Sequence, residues 1–224
     1  MSADPIPVSV ADGYELWAGT WDTAPSPIVA LERRVLLPWI ERFHPRRAID
    51  IGCGTGRWAA LLSAIGVDAS PAMLAIAATK PGLRGRLAVA DAGLLPIANR
   101  TADLVLCALT LGHVRNHAAA LRELSRILEP GGTLILSDFH PAAVARGWRR
   151  TFRHDGQVYE IETHPFTVDQ LLAMAREAGL SCQETLDAAI GEPERELFHL
   201  AGRSDLFEAA CQTPTILATR WMPA

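Results

Sequence analysis

The feature that most constrains this chain is a glycine-rich turn after a short apolar stretch. Residues 47–51 are predicted as a strand, and Gly52-Cys53-Gly54-Thr55-Gly56 follows it directly, before a predicted helix at 57–63. Glycines let a backbone approach a ligand closely, and a helix N-terminus presents free N–H groups. The turn therefore predicts a strand–turn–helix unit of the kind that binds a nucleotide-like ligand.

The rest of the chain alternates short apolar runs with stretches of helical periodicity. This alternation is typical of βαβ units around a parallel sheet. Further strands are predicted at 65–68, 86–90, 103–109, 133–137 and 214–221. Further helices are predicted at 14–21, 28–43, from Ser70-Pro71, from Asn116 to the Pro130-Gly131-Gly132 stop, at 167–178 and near 206–211. Residues 139–166, rich in arginine, histidine and aromatic residues, are predicted to be an irregular insertion.

Composition and charge limit the class of protein. The 224 residues are 49% hydrophobic and 21% charged, which suits one sizeable core. A net charge of −4 argues against a nucleic-acid partner, since such proteins usually carry a basic surface. Four isolated cysteines favour reduced thiols in the cytoplasm. Residues 1–7 lack the features of a signal peptide and no apolar run has membrane length, so we expect a cytoplasmic protein without a membrane partner.

The spacing of the glycines separates two kinds of ligand. Dinucleotide-binding turns follow G-x-G-x-x-G/A, in which the third small residue lets helix and strand pack closely. Counting from Gly52, the sixth position is Arg57, which is too large for that role. Asp50 stands two residues before Gly52, so the segment reads D-x-G-x-G-x-G and resembles the first motif of class I S-adenosylmethionine-dependent methyltransferases. A carboxylate near the turn suits a cofactor that carries an ammonium and a sulfonium.

The resemblance continues in order over residues 14–138. Val67–Leu74 resembles the G-x-D-x-S-x-x-M-L segment, whose acid binds both ribose hydroxyls. Asp91-Ala92 resembles the pair that meets the adenine amino group, and Leu128–Leu134 resembles the L-K-P-G-G-x-L turn. Tyr14-Glu15-Leu16-Trp17-Ala18 with Trp21-Asp22 resembles the Y-D-x-W-A-x-x-Y-D helix that helps to close the cofactor site. The chain is identified as a member of the broad small-molecule group, with a methyltransferase type 11-like domain.

This resemblance implies a Rossmann-like three-layer α/β sandwich with a mostly parallel seven-stranded sheet and an antiparallel last strand. It implies one domain, with 1–45 as an N-terminal helical lid, 46–138 as the cofactor-binding core, and 139–224 as a substrate-side insertion followed by C-terminal strands. S-adenosylmethionine is the expected cofactor and a small molecule the expected methyl acceptor. The expected cofactor-binding residues are Tyr14, Trp17, Asp50, Gly52, Cys53, Gly54, Gly56, Asp68, Ala69, Met73, Asp91, Ala92, Cys107 and Ala108.

Two histidines are candidates for a general base. His113 follows the fourth strand and His140 follows the fifth, both at the edge where a substrate would arrive, and histidine titrates near neutrality. A hydrogen-bonded structural histidine is the alternative for each. His113 and His117 are four residues apart, but no third ligand stands at useful spacing, so no metal site is expected. A basic cluster of arginines at 146, 149, 150 and 153, with aromatic residues between them, is either a solvated loop or a cover for the substrate.

One spacing departs from the family pattern. Asp68 comes twelve positions after Gly56, whereas the acid usually falls roughly 20 residues beyond a glycine turn. We therefore expect a helix of about two turns, with the second strand short but in place. Two other functions remain open: a nicotinamide-dependent oxidoreductase, and a non-catalytic S-adenosylmethionine-binding protein.

Overall fold

The computed structural model describes residues 4–224. Residues 1–3, part of the segment expected not to be a signal peptide, lie outside the described residues. Within that range the strands are β1 (Ile6–Val8), β2 (Ala48–Ile51), β3 (Ile65–Asp68), β4 (Leu87–Val89), β5 (Ala102–Ala108), β6 (Leu128–Phe139), β7 (Thr151–His154), β8 (Gln157–Ile161), β9 (Leu180–Ala189) and β10 (Pro214–Pro223). The α-helices are α1 (Val10–Trp21), α2 (Pro27–Ile40), α3 (Arg57–Leu62), α4 (Pro71–Ala77), α5 (His117–Ile127), α6 (Pro141–Ala145), α7 (Val168–Glu177), α8 (Arg195–Leu200) and α9 (Phe207–Cys211).

Seven of the described strands form one sheet in the order β4-β3-β2-β5-β6-β10-β9. Strands β2 to β6 are parallel, and β10 lies antiparallel between β6 and β9. Two clusters of buried apolar side chains cover the two faces: Leu36 and Trp58 belong to one cluster, and Leu121 and Leu171 to the other. The predicted Rossmann-like α/β fold, with a mostly parallel sheet and an antiparallel last strand, is confirmed.

The connection between β2 and β3 is as short as the spacing predicts. Helix α3 has six residues, with Gly56 as its N-cap in the left-handed region (φ 79°) and Ser63 as its C-cap (φ 50°). Its Trp58 and Ala59 are buried against the sheet, and β3 still pairs in parallel with β2 from Ile65 onward. Two turns of helix therefore suffice for the crossover.

Residues 139–166 are not irregular, and that prediction is wrong. They form α6 and an antiparallel β7–β8 hairpin, which turns at Asp155-Gly156 with φ of 47° and 76°. Asp-Gly between alternating residues favours a tight hairpin turn, because both central positions need positive φ. Strand β8 also pairs in parallel with β1, with Val8 opposite Ile161. The N-terminal segment and the insertion thus share a three-stranded sheet.

Two further boundaries differ from the prediction. Helix α1 begins at Val10, because the Ser9 side chain accepts a hydrogen bond from Asp12 N (3.1 Å) and caps it. Strand β6 begins at Leu128, and residues 129–132 loop out between the pairs Ala102–Leu128 and Leu104–Thr133. None of the helices in the described part of the chain combines the length and the apolar character that crossing a bilayer requires.

Candidate functional site

The candidate site lies at the edge where the parallel strands end. Because β2, β3, β4, β5 and β6 run in one direction, the residues that follow them meet at a single edge, where open α/β sheets bind ligands. The structure brings together there the glycine turn after β2, Asp68 at the end of β3, Ala108 at the end of β5 and Asp138 near the end of β6. Asp91 and Ala92 follow β4 at the same edge.

The glycine turn is packed at its start and open in its middle. Gly52 has φ of 69°, and a Cβ there would lie 2.1 Å from the Thr110 hydroxyl, so no other residue fits. A Cβ on Gly54 would meet no heavy atom of the described chain within 4 Å, at φ of 53°. The turn therefore presents open backbone at Gly54, as a binding turn must.

Asp68 lies directly against this turn. Its Oδ2 accepts a hydrogen bond from Gly54 N at 2.7 Å, and its Oδ1 accepts one from Ser70 N at 2.8 Å. Burial raises the pKa of this carboxyl, while the backbone donors of Ser70 and Gly54 oppose the rise. A carboxylate has about four lone-pair directions. The backbone N–H of Ala69 also acts on the carboxylate, and the lone-pair directions that remain can accept from a ligand such as the hydroxyls of a ribose.

Asp50 is buried beneath the glycine turn, away from solvent. Its side chain is buried, and its Oδ2 has no hydrogen-bond partner among residues 4–224. Burial raises the pKa of Asp50 to about 7, and the nearby charge of Arg57 only partly opposes this. The carboxyl is therefore poised to change charge near neutrality.

This raised pKa predicts a pH-dependent loss of stability. The folded protein holds the proton where the unfolded chain releases it, so the stabilisation is complete below the ordinary pKa of 3.8 and is lost as the pH rises through about 7. Between pH 5 and pH 8 the wild type should lose roughly 2 kcal/mol more free energy of unfolding than Asp50→Asn. Urea denaturation of the two proteins at both pH values measures this. If both proteins lost the same free energy of unfolding between pH 5 and pH 8, Asp50 would not be the group with the raised pKa.

Helix α1 closes over the edge with aromatic side chains. The Tyr14 hydroxyl lies 2.8 Å from His113 Nε2, and Trp17 stacks on Phe152 of β7 with centroids 4.8 Å apart. At the end of α1, Asp22 accepts a hydrogen bond from the Thr55 hydroxyl at 2.6 Å and pairs with Lys80 at 2.8 Å. The helix is thus joined both to the glycine turn and to the hairpin.

The Tyr14–His113 pair has a defined proton arrangement. His113 Nδ1 lies 3.2 Å from the Glu162 carbonyl oxygen, which can only accept, so we assign the proton to Nδ1. Nε2 then accepts from the Tyr14 hydroxyl. Burial, with the charge of Arg150, lowers the pKa of His113 well below its usual value, and burial raises that of Tyr14. Both side chains are therefore neutral near pH 7.

His140 has a different environment. Its Nδ1 accepts a hydrogen bond from Ala142 N at 3.0 Å and so caps α6, while its Nε2 lies 3.2 Å from Asp187. Both ring nitrogens are therefore occupied by structural contacts. His117 packs edge-on against Phe166, with ring centroids 5.2 Å apart. The described residues contain no group of three potential metal ligands.

The remaining predicted residues differ in how they reach the site. Met73 and Cys107 are each 1% exposed, so their side chains belong to the core, and Cys53 and Ala108 are also buried. Asp91 and Ala69 are exposed, Ala92 is partly buried, and Asp91 Oδ1 accepts a hydrogen bond from Gly93 N at 2.6 Å. Gly56 packs so closely that a Cβ would lie 2.5 Å from Leu83 Cδ1.

Sequence reasoning missed two buried charged pairs. Asp138 accepts hydrogen bonds from Gly112 N and Phe139 N and pairs with Arg150. Glu32 of α2, which is fully buried, pairs with Arg57 at 2.8 Å. The sequence did hold an indication of each acid. Asp138 directly follows the fifth predicted strand, and Glu32 stands among the apolar residues of a predicted helix.

The sequence is similar to known methyltransferases over its central part. Residues 49–136 match the family model described as a methyltransferase domain. A demethylmenaquinone methyltransferase of Thermus thermophilus is 37% identical over 107 residues, covering 43% of this chain and 49% of that protein. A malonyl-(acyl-carrier protein) O-methyltransferase of Methylococcus capsulatus is 33% identical over 139 residues, covering 54% and 50%. The matched part of the chain thus spans about half the length of these relatives.

Solved structures agree with the architecture. The crystal structure of an S-adenosylmethionine-dependent methyltransferase from Mesorhizobium loti aligns with 90% of this chain and 99% of its own, with a TM-score of 0.64. Its sequence identity to this chain is 22%, so the likeness concerns the fold.

Proposed function

We propose that this chain is a class I S-adenosylmethionine-dependent methyltransferase, as the methyltransferase-domain match over residues 49–136 supports, and that it transfers a methyl group to an oxygen, nitrogen or carbon nucleophile of a small molecule. The observation that carries the proposal is Asp68, which backbone donors hold against the open middle of the glycine turn with acceptor capacity left over. This arrangement fits a ligand that places two neighbouring hydroxyls on Asp68 and lies against the backbone of Gly54. One of the two relatives is named for demethylmenaquinone, a small molecule, and the other for a malonyl group on an acyl-carrier protein.

The residues at the sheet edge fit the cofactor. Asp68 would hold the ribose hydroxyls, Gly52 and Gly54 would let the amino-acid part approach the backbone, and Asp91-Ala92 would meet the adenine. The acidic Asp50 beneath the turn suits a ligand that carries positive charge. Tyr14 and Trp17 on α1 would cover the bound molecule.

S-adenosylmethionine, when bound, supplies a methyl group on a sulfonium, and the electrons of the broken C–S bond leave with the sulfur of S-adenosylhomocysteine. The chain's own contribution is to orient the two reactants and to exclude water, which supplies much of the rate in a direct displacement. We assign His113 to orienting the Tyr14 hydroxyl, since its Nε2 already accepts from Tyr14 and its pKa is low. The capping contacts of His140 support a structural role for it. Once an acceptor is found, the pH–rate profile of His113→Asn tests whether His113 takes up a proton.

Titration of the purified chain tests the cofactor. We expect S-adenosylmethionine and S-adenosylhomocysteine each to bind once per chain by calorimetry, and NAD to bind at least about 100-fold more weakly, because Arg57 occupies the position that a dinucleotide turn keeps small. Tight NAD binding without the sulfur ligands would refute the proposal in favour of an oxidoreductase. Cofactor binding without transfer to any acceptor of a broad panel would favour a non-catalytic binding protein.

We also propose a cytoplasmic location and a single domain. The four cysteines, all within the described residues, form no disulfide, which suits a reducing compartment. The β1–β8 pairing joins the N-terminal lid to the insertion and supports one folding unit. The net charge of −4 gives no support to a nucleic-acid partner, and neither it nor the fold supports a membrane partner.

A further inference from the structure

A cavity opens beside the candidate methyl-transfer site, under the hairpin. It has a volume of about 290 Å³ and lies between the carboxyl end of β6, α6 and the segment 163–166. Its apolar walls include the aromatic side chains of Phe139, Trp148 and Phe166. Pockets for small molecules begin near 300 Å³ and combine such walls with a few polar groups. The dimensions suit one flat ring with short substituents.

Arg150 is the cationic group buried in this cavity. The residue is 8% exposed, and its guanidinium lies over the Phe139 ring, 4.4 Å from the centroid. It pairs with Asp138 through one terminal nitrogen and makes no other side-chain hydrogen bond within the described chain. A guanidinium has five N–H donors. Most of the donors of Arg150 are therefore unused, although the residue is buried.

Glu160 also lines the cavity, where it pairs with Arg149 at 3.5 Å. Asp138 offsets the charge of Arg150 but engages only one of its nitrogens. Its Oδ2 accepts from Gly112 N at 2.6 Å and its Oδ1 from Phe139 N at 2.7 Å, so backbone donors already hold this carboxylate at the strand end. A Cβ on Gly112 would lie 3.1 Å from Asp138 Oδ1, which shows how tightly the carboxylate is packed. Asp138 thus anchors Arg150, and a further acceptor can meet the other side of the guanidinium.

The cavity adjoins the residues proposed to act in transfer. Gly112 lines it and precedes His113 in the same turn. The charge of Arg150 also acts on both Tyr14 and His113, where it favours the phenolate and the neutral imidazole. A molecule in contact with Arg150 therefore lies within electrostatic range of the Tyr14–His113 pair.

We propose that this cavity binds the methyl acceptor, and that the acceptor is an aromatic molecule bearing an anionic oxygen, a phenolate or an aryl carboxylate, which Arg150 recognises. The inference rests on the proposed methyltransferase function and names the substrate class of the same site. An oxygen that arrives ionised has no proton to lose, which agrees with the occupied nitrogens of His113 and His140. Arg150 is then the residue that determines acceptor specificity.

Binding of simple probes to the chain saturated with S-adenosylhomocysteine tests this. We expect benzoate to bind at least about 10-fold more tightly than benzamide, which has the same shape without the charge, because a charge-assisted hydrogen bond to a buried guanidinium distinguishes them. Titration with 4-nitrophenol at a pH below and a pH above its pKa tests the phenolate in the same way. Tighter binding of the ionised form indicates that the site accepts a phenolate as well as a carboxylate. Arg150→Met should abolish the preference for the anion. Arg153→Met, an exposed arginine of the same hairpin, should leave it unchanged.

Arg150→Met leaves Asp138 buried without its partner, so a loss of folding would obscure the result. The double variant Asp138→Asn/Arg150→Met removes both charges together and should fold, bind S-adenosylhomocysteine and treat benzoate and benzamide alike. Equal binding of the two probes to the wild type, or a preference that survives in the double variant, would overturn the inference. Neither result touches the cofactor titration, so failure of the proposed function would be seen separately, as failure to bind S-adenosylhomocysteine.

Discussion

Asp68→Asn should bind S-adenosylmethionine about 100-fold more weakly than the wild type while remaining folded. The carboxylate keeps lone-pair directions beyond the ones used by Gly54 N and Ser70 N. Two charge-assisted bonds to ribose hydroxyls would occupy them, and each contributes about 1.5 kcal/mol or more. An amide retains one oxygen, loses the charge and turns an NH₂ toward a donor. Calorimetric titration of both proteins with S-adenosylmethionine measures the difference.

Asp103→Asn is the matched control for this variant. Asp103 also accepts two backbone hydrogen bonds, from Arg46 N at 2.8 Å and Arg47 N at 3.0 Å, but it lies at the start of β5, on the opposite edge of the sheet. Its loss should affect stability in a similar way and leave cofactor affinity unchanged. If Asp68→Asn bound S-adenosylmethionine as tightly as Asp103→Asn, Asp68 would not be the ribose ligand.

Glu32→Ala should lower the free energy of unfolding by about 3–5 kcal/mol, the cost of breaking a buried charged pair from one side. Glu32 pairs with Arg57 and accepts hydrogen bonds from Trp58 Nε1 at 3.1 Å and the Ser137 hydroxyl at 3.2 Å. Its removal leaves the guanidinium of Arg57 and the indole N–H of Trp58 without their acceptor, and it opens a cavity between α2, α3 and β6. Urea denaturation at pH 7 measures the loss.

A surface pair gives the reference for this prediction. Glu192 forms a pair with Arg195 at 2.7 Å, three residues along the chain, and both side chains are at least half exposed. Solvent screens exposed pairs of this kind, so Glu192→Ala should change stability little. A Glu32→Ala protein no less stable than Glu192→Ala would show that the buried network does not hold α3 against the sheet.

The parts of the molecule that sequence could predict are those specified by neighbouring residues. The strand–turn–helix at residues 48–62 and Asp68 at the end of β3 depend on local glycine and apolar patterns, and both lie where the spacing predicts. The stunted α3 followed from counting residues. The β7–β8 hairpin had a local signal in Asp155-Gly156, which the charged and aromatic composition of the segment concealed.

The remaining features depend on contacts between distant residues, which no local pattern encodes. Tyr14 meets His113 across 99 positions, and Ser137 meets Glu32 across 105. The place of His113 after β5 was predictable, which made it a candidate general base or a structural histidine, but its hydrogen bond to Tyr14 was not predictable. Arg150 was one of several arginines in a cluster, and only the fold distinguishes the buried one from its exposed neighbours.

The pairing of β1 with β8 sets the order in which the parts of this protein can be completed during synthesis. Ile6 is made long before Tyr159, its neighbour in the small sheet, so β1 must wait for the insertion to be synthesised before it can pair. Strands β2 to β6 are all complete before β8 is made, so they can pair first. The later pairing of β1 with β8 also carries the entropic cost of closing a long loop. The half of the site that would face the acceptor is therefore assembled after the half that would hold the cofactor.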